Sequence, residues 1–164
     1  MIIRKAREED ILPLLDIYNY EVLNTTSTFD LNPKTEAQWR DWYFAHNVGN
    51  HPLIVAEIDG QVAGYASLSS YREKEAYKST VELSVYVGVT FRRRGIATAL
   101  MQEIIDMARR DSTIHTIVSV ITSENAESEK LHSKMGFSFC GTIHEVGEKF
   151  GRYLTSGSSW FMYY

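Results

Sequence analysis

Thr80-Val81-Glu82-Leu83-Ser84-Val85-Tyr86-Val87, followed by Arg92-Arg93-Arg94-Gly95-Ile96-Ala97 and a helical pattern from Thr98 to Arg110, decides the fold. Val81, Leu83, Val85 and Val87 alternate with Thr80, Glu82, Ser84 and Tyr86, as a strand with two unlike faces requires. After the basic turn, Ile96, Leu100, Ile104 and Met107 or Ala108 recur at helical spacing. A turn that opens a helix offers unpaired backbone N–H groups and the positive end of the helix dipole. Gly95 has no side chain to keep an anion away from that backbone. Arginines are disfavoured at a helix start unless an anion joins them, so the turn is expected to hold a polyphosphate.

Working outward, Thr116–Thr122 reads as a strand rich in β-branched residues, and Asn125–Met135 as a helix ended by Gly136. Upstream, Leu53–Ile58 and Gln61–Ser69 are strands joined by the hairpin signal Asp59-Gly60. Thr35-x-x-Gln38 is a capping box before a helix carrying Trp39, Trp42 and Tyr43. Ile2–Lys5 is a short strand. A helix capped by Asp10 follows, with Ile11, Leu14, Leu15, Tyr18 and Val22 on one face. Residues 24–33 are a polar loop apart from Phe29, and the tail holds one or two aromatic strands, clearest at Trp160–Tyr164. The order predicts an α/β fold: a mixed sheet with a single parallel crossover, in one domain spanning 1–164.

Composition removes several classes of function. The 164 residues are 44% hydrophobic and 23% charged, the balance of an ordinary globular chain. A net charge of −4 argues against nucleic-acid binding by general electrostatics. Stacking aromatics are also not interleaved with the arginines. No apolar stretch has membrane-spanning length, and Met1–Lys5 lacks the apolar core of a signal peptide, so a cytoplasmic protein is expected. Cys140 is the single cysteine, and His46, His51, His115 and His144 are scattered without ligand spacing, so no metal site is expected.

The standard nucleotide motifs G-x-x-x-x-G-K-[S/T] and G-x-G-x-x-G are missing. Arg92-x-x-Gly95-x-Ala97 instead resembles the [Q/R]-x-x-G-x-[G/A] pyrophosphate motif of the GNAT superfamily of N-acetyltransferases. Further blocks look like one branch of it, the phosphinothricin and methionine sulfoximine N-acetyltransferases. They are Leu15-Asp16-Ile17-Tyr18-Asn19, Val22-Leu23-Asn24-Thr25-Thr26, Thr80–Val87, Glu124-Asn125-Ala126, Leu131-His132-x-x-x-Gly136-Phe137 and Val146-Gly147-x-Lys149-Phe150-Gly151-Arg152. Two positions depart from the branch: Leu83 stands where a histidine usually follows the motif glutamate, and Thr155–Ser159 stands where an acidic residue is usual.

The resemblance implies a mostly antiparallel sheet splayed at its parallel pair and flanked by helices, with acetyl-CoA as co-substrate and no metal. It assigns the pyrophosphate to the amides of Arg93, Arg94, Gly95, Ile96, Ala97 and Thr98 with the charge of Arg92. The pantetheine arm falls to the free strand edge at Val85, Tyr86 and Val87 and to Asn125 and Ser128. Asn125 also reads as a plain helix cap. Glu82 is implied as the general base, where a solvated strand glutamate is the plainer reading. A carboxylate acting through water can take the proton of an α-amino group, whose pKa is about 7.7–8.0. His132 is implied as donor or relay to the departing thiolate, and alone it reads equally as an orienting or packing residue at a helix end. Arg72 and Lys149 are candidate anchors for a substrate carboxylate, and Phe29, Tyr71 and Tyr77 candidate walls. The implied reaction is direct attack, in a ternary complex, by the α-amino group of a small amino-acid-like molecule, carried out by a homodimer. Alternatives are a protein or peptide acetyltransferase and a non-catalytic coenzyme A sensor.

Overall fold

The computed structural model describes the backbone of residues 1–163, and the side chains of these except 156–161 and 163. It contains β1 (Ile2–Lys5), α1 (Ile11–Asn24), α2 (Glu36–Phe44), β2 (Leu53–Ile58), β3 (Gln61–Ser70) and β4 (Thr80–Val87). Then come α3 (Ile96–Arg110), β5 (Thr116–Val120), α4 (Ala126–Lys134), β6 (Ser138–Lys149) and β7 (Arg152–Tyr163). The strands form one seven-stranded sheet in the order β1-β2-β3-β4-β5-β7-β6. All neighbours are antiparallel except β4 and β5, which are joined through α3.

The alternation of β4 divides two cores. Val81 and Leu83 pack with Leu100, Ile104 and Ile105 under α3. Tyr86 faces the other way, toward Leu14, Trp39 and Tyr65 under α1 and α2. The face of α3 is wider than the expected stripe: Met101 and Ile105 are buried as well, and Ala108 rather than Met107 closes it. A helix lying flat on a sheet buries more than one narrow row of side chains.

Local signals act as read, with one change. Thr35 accepts the Gln38 N–H at 3.3 Å and Gln38 returns the bond to the Thr35 N–H at 3.0 Å. Asp59 and Gly60 turn the β2–β3 hairpin with φ of 50° and 77°. Asp10 does not cap α1. Its carboxylate accepts the Arg7 N–H at 2.7 Å and both terminal nitrogens of Arg4, closing a 3-10 turn over Glu8–Asp10. Arg4 holds its carboxyl below the usual range against the opposing pull of burial.

The decisive feature is where β4 and β5 stop pairing. Their register covers Thr80↔Thr116, Val81↔Ile117 and Glu82↔Val118 and goes no further. On its other side β4 stays paired with β3 as far as Gly64↔Val87. Leu83–Val87 therefore presents a free edge toward a wedge between the two parallel strands.

Candidate active site

That wedge is a cavity of about 1210 Å³. Its walls include Glu82–Val87 of β4, Ser119–Thr122 at and beyond the end of β5, and Asn125, Ser128 and His132 at α4. Trp39, Trp42, Tyr65, Tyr86 and Tyr18 build an aromatic end. Phe29 closes one side, lodged so tightly that a Cβ added at Gly147 would meet its ring at 2.7 Å.

Glu82 is half-buried on the last residue pair before the strands part. Burial pushes its carboxyl above the ordinary glutamate value, which raises its affinity for a proton. This is the tuning a general base needs.

At the cavity's other end the chain turns into α3 with positive φ at Arg93 (62°) and Gly95 (74°). Such a turn aims successive N–H groups to one side as an anion-binding nest. The Ala99 N–H meets Gly95 O at 3.1 Å as the helix begins. The amides of Ile96, Ala97 and Thr98 lie ahead of that bond, where a helix has no acceptor to offer. A Cβ on Gly95 would meet no protein atom within 4 Å, so the space over this amide row is open. A free strand edge with a half-buried carboxylate at its start and a nest of amides beyond its end fits a long acyl thioester with a pyrophosphate. Arg92 and Ala97 line the cavity, whereas the Ile96 side chain is core and contributes only its backbone. Arg94 lies over the Phe91 ring. Arg92 is ion-paired with Glu21, a buried acid that no sequence motif marked.

His132 is 5% exposed, and both its ring nitrogens are engaged. Nδ1 lies 2.8 Å from the Ser128 carbonyl oxygen and Nε2 lies 3.0 Å from Ser119 Oγ. A carbonyl only accepts, so Nδ1 carries the hydrogen and neutral Nε2 accepts from the Ser119 hydroxyl. Burial lowers the imidazole's pKa and favours this neutral form. His132 thus lines the cavity with no ring hydrogen free to give and with Ser119 held at its Nε2. Asn125 caps α4, accepting the Ser128 N–H at 3.1 Å.

The other expected substrate residues are not gathered at the cavity wall. Arg72 lies over the Tyr71 and Tyr77 rings, and this trio is outside the lining. Lys149 is 3% exposed and its ammonium donates to the Thr28 carbonyl at 2.8 Å, so it pins the loop that carries Phe29. The cations that do line the cavity among the described residues are Lys34, Arg92 and Arg152, each paired with an acid. Arg152 holds Glu124 with two nitrogens, and the pair is solvent-exposed. The departing residue Leu83 is 5% exposed in the core under α3. In the other departing stretch, Thr155–Ser159, the side chains after Thr155 lie outside the described residues. So do those of Trp160, Phe161 and Tyr163, and all of Tyr164.

Comparison with known proteins agrees with this fold. An L-methionine sulfoximine/L-methionine sulfone acetyltransferase of Pseudomonas paraeruginosa is 39% identical over 93% of this chain and 88% of its own length. A ribosomal-protein-alanine N-acetyltransferase structure from Brucella melitensis superposes with a TM-score of 0.96 at 37% identity over 100% of both chains. An acetyltransferase from Salmonella typhimurium, solved with its cofactor acetyl-CoA, superposes with a TM-score of 0.95 at 34% identity, covering 99% of this chain and 93% of that one. The model of the acetyltransferase (GNAT) family matches residues 14–137, and the chain belongs to that family.

Proposed function

We propose that the protein transfers the acetyl group of acetyl-CoA to the α-amino group of a small amino acid of the methionine sulfoximine, methionine sulfone or phosphinothricin type. The observation that carries this reading is Glu82, half-buried at the point where the free edge of β4 begins. The pantetheine amides add to that edge at Val85–Val87 as a further strand would, and the pyrophosphate takes the amides of 93–98. An N–H of the same edge polarises the thioester carbonyl. The ammonium loses one proton to Glu82 and the amine attacks. The C–N bond forms, the C–S bond breaks, and the second proton that the nitrogen sheds balances the one the departing thiolate takes up. His132 holds Ser119 beside the leaving group rather than meeting it directly.

We assign the acceptor's carboxylate to Arg152 in place of Arg72 or Lys149. Among the cavity cations, it has the partner that solvent reaches most easily, so a substrate carboxylate can displace Glu124. Its fork bonds a carboxylate at two points. A small acceptor is supported by the loop over residues 25–34. Lys149 ties it down at Thr28, Tyr18 bonds Thr28 and Asp30, and Asn19 bonds the backbone of Lys34. A strapped loop makes a pocket rather than an open groove for a peptide. Phe139, Ile143 and Val146 of β6 and Tyr153 of β7 are exposed and support a homodimer through this end of the sheet, to be checked by sedimentation at micromolar concentration. No helix among the described residues is long and apolar enough to cross a membrane, and we place the enzyme in the cytoplasm.

A thiol-release screen over amino acids, methionine derivatives, alkylamines, polyamines and peptides tests this function. Turnover is expected with L-methionine sulfone or its close kin and none with the decarboxylated amine at matched concentration. Acetylation of peptides or alkylamines with none of free amino acids overturns the substrate assignment.

A further inference from the structure

A second serine–histidine pair, which no motif announced, has its serine in the cavity wall and its histidine behind it. His46 follows the end of α2 and is 7% exposed. Its Nδ1 lies 2.7 Å from the Trp42 carbonyl oxygen and its Nε2 lies 2.9 Å from Ser69 Oγ. The carbonyl can only accept, so Nδ1 carries the hydrogen, and the neutral ring's Nε2 must accept. The hydroxyl hydrogen of Ser69 is thus committed to His46, away from the cavity. What Ser69 leaves for a ligand is lone pairs.

Ser69 is half-buried and lines the cavity. In the β3–β4 register it is the direct partner of Glu82. Directly opposed residues of antiparallel strands point to the same face, with Cβ atoms about 4.5–5.5 Å apart. Two acceptors of different character therefore stand side by side: one carboxylate oxygen pair and one hydroxyl stripped of its donor. Imidazolium at His46 would reverse the Ser69 hydrogen bond. Burial works against that form and lowers the His46 pKa, and His51, at 6.4 Å, is a second imidazole that adds to this. The Trp42 carbonyl and ring, the ring at 4.2 Å, pull the other way and are outweighed. Glu82, opposite Ser69, lies beyond the hydroxyl.

We propose that Ser69, oriented by His46, is the second receptor for the acceptor's amine, holding one N–H while Glu82 takes the proton that leaves. This rests on the N-acetyltransferase reading and deepens it. A primary ammonium has three hydrogens. One passes to Glu82, one leaves as the amide forms and balances the proton on the thiolate, and the one that stays is held by Ser69, which fixes the rotation of the amine during attack. A group that accepts without donating selects a nitrogen that keeps a hydrogen through the reaction, so the site takes primary amines in preference to secondary ones, whose amides have none. His46 is a positioning residue, since it acts through Ser69.

Initial rates with L-methionine sulfone and acetyl-CoA test the proposal on wild type, Ser69→Ala, Ser69→Thr and His46→Phe, alongside calorimetric acetyl-CoA binding. Ser69→Ala is expected to raise the amine KM and lower kcat for a combined loss of roughly 10-fold, in line with one lost hydrogen bond to a charged group. The acetyl-CoA Kd should stay within about twofold of wild type, inside the scatter of such measurements. Ser69→Thr retains the hydroxyl and should restore most of kcat/KM. His46→Phe should fall between, because its serine is present but free to turn. Wild-type amine kinetics in Ser69→Ala, or an equal rise in both substrates' KM values, overturns the proposal. Ser69→Ala removes a single oxygen at a half-buried position and is read even where His46→Phe does not fold. Absence of amine-dependent thiol release by the wild-type enzyme is a separate result, and it would overturn the function on which the proposal rests.

Discussion

The two serine–histidine pairs share one hydrogen-bond grammar and flank Glu82 from the two strands beside it. In each, Nδ1 is locked on the carbonyl four residues earlier, Trp42 for His46 and Ser128 for His132. In each, Nε2 receives a serine hydroxyl from a neighbouring strand, Ser69 or Ser119. The strands differ. Ser69 is on β3, where pairing with β4 is continuous, and it faces Glu82. Ser119 is on β5, one residue beyond the last β4–β5 pair, and it is 1% exposed. The first pair stands where β4 is still paired; the second stands where the wedge opens beside the free edge of β4. The same side-chain pair thus takes its role from the strand that carries it. Neither imidazole, in the form its bonds dictate, has a free hydrogen to give.

The comparison breaks most sharply at the acceptor side. Glu82→Gln keeps the shape of that side and removes the proton acceptor, and the rate should fall roughly 10²–10⁴-fold at neutral pH. Acetyl-CoA affinity, measured by calorimetry, should not change. On the coenzyme side, Gly95→Ala fills the open space over the amide row and costs about 1–2 kcal/mol of backbone strain at φ 74°. Its acetyl-CoA KM should rise roughly 10- to 100-fold, the loss of one charge-assisted bond, with the amine KM unmoved. A rise in the amine KM instead would misplace the pyrophosphate.

Arg152→Ala should raise the amino-acid KM about 10-fold at unchanged acetyl-CoA KM, with Arg72→Ala close to wild type. The reverse ranking would return the carboxylate to Arg72. Ser119→Ala is the mirror of the change at Ser69. It should act on the acetyl-CoA KM by roughly threefold, a neutral hydrogen bond's worth, and leave the amine alone. His132→Phe should do little more than Ser119→Ala. A loss as large as that of Glu82→Gln would make His132 the thiolate's acid. The smallest effect is on stability. Both histidines have folded pKa values below the unfolded value of about 6.5. The unfolded chain therefore binds protons first, and stability falls as pH drops below that value. Calorimetric Tm between pH 7 and 5 should fall less in His132→Gln than in wild type, once both are referred to pH 7.

Short-range chemistry was legible in the chain, and long-range register was not. The β4 alternation, the Asp59-Gly60 turn and the Thr35–Gln38 box each act within a few residues, and each stands in the structure as read. The 12-residue strands β6 and β7 were only partly visible. β6 is exposed on both faces along most of its length, so it has no apolar and polar alternation to betray it. β5 ends at Val120, not Thr122, where its pairing with β7 stops; β-branched residues favour a strand but do not supply a partner. The site shows the same division. Glu82, the basic turn and α4 come from motifs in one strand–helix run. Ser69 reaches Glu82 by cross-strand register, and Arg152 reaches the cavity by the fold-back of β7. Ser69 has no local pattern, and Arg152 closes the Val146–Arg152 block without anything in that block marking it as an anchor. Arg72 beside two tyrosines looked like an anchor, and its neighbours are the very rings it rests on.

The most direct test of Glu82 as the base between the two sides is the pH dependence of kcat/KM for the amine in wild type and Glu82→Gln. The raised carboxyl of Glu82 predicts that the wild-type rate falls on its acidic side above the usual glutamate range. It also predicts that the defect of Glu82→Gln shrinks as pH rises and more amine is already neutral. A defect of equal size at every pH would contradict this account and leave Glu82 an orienting residue.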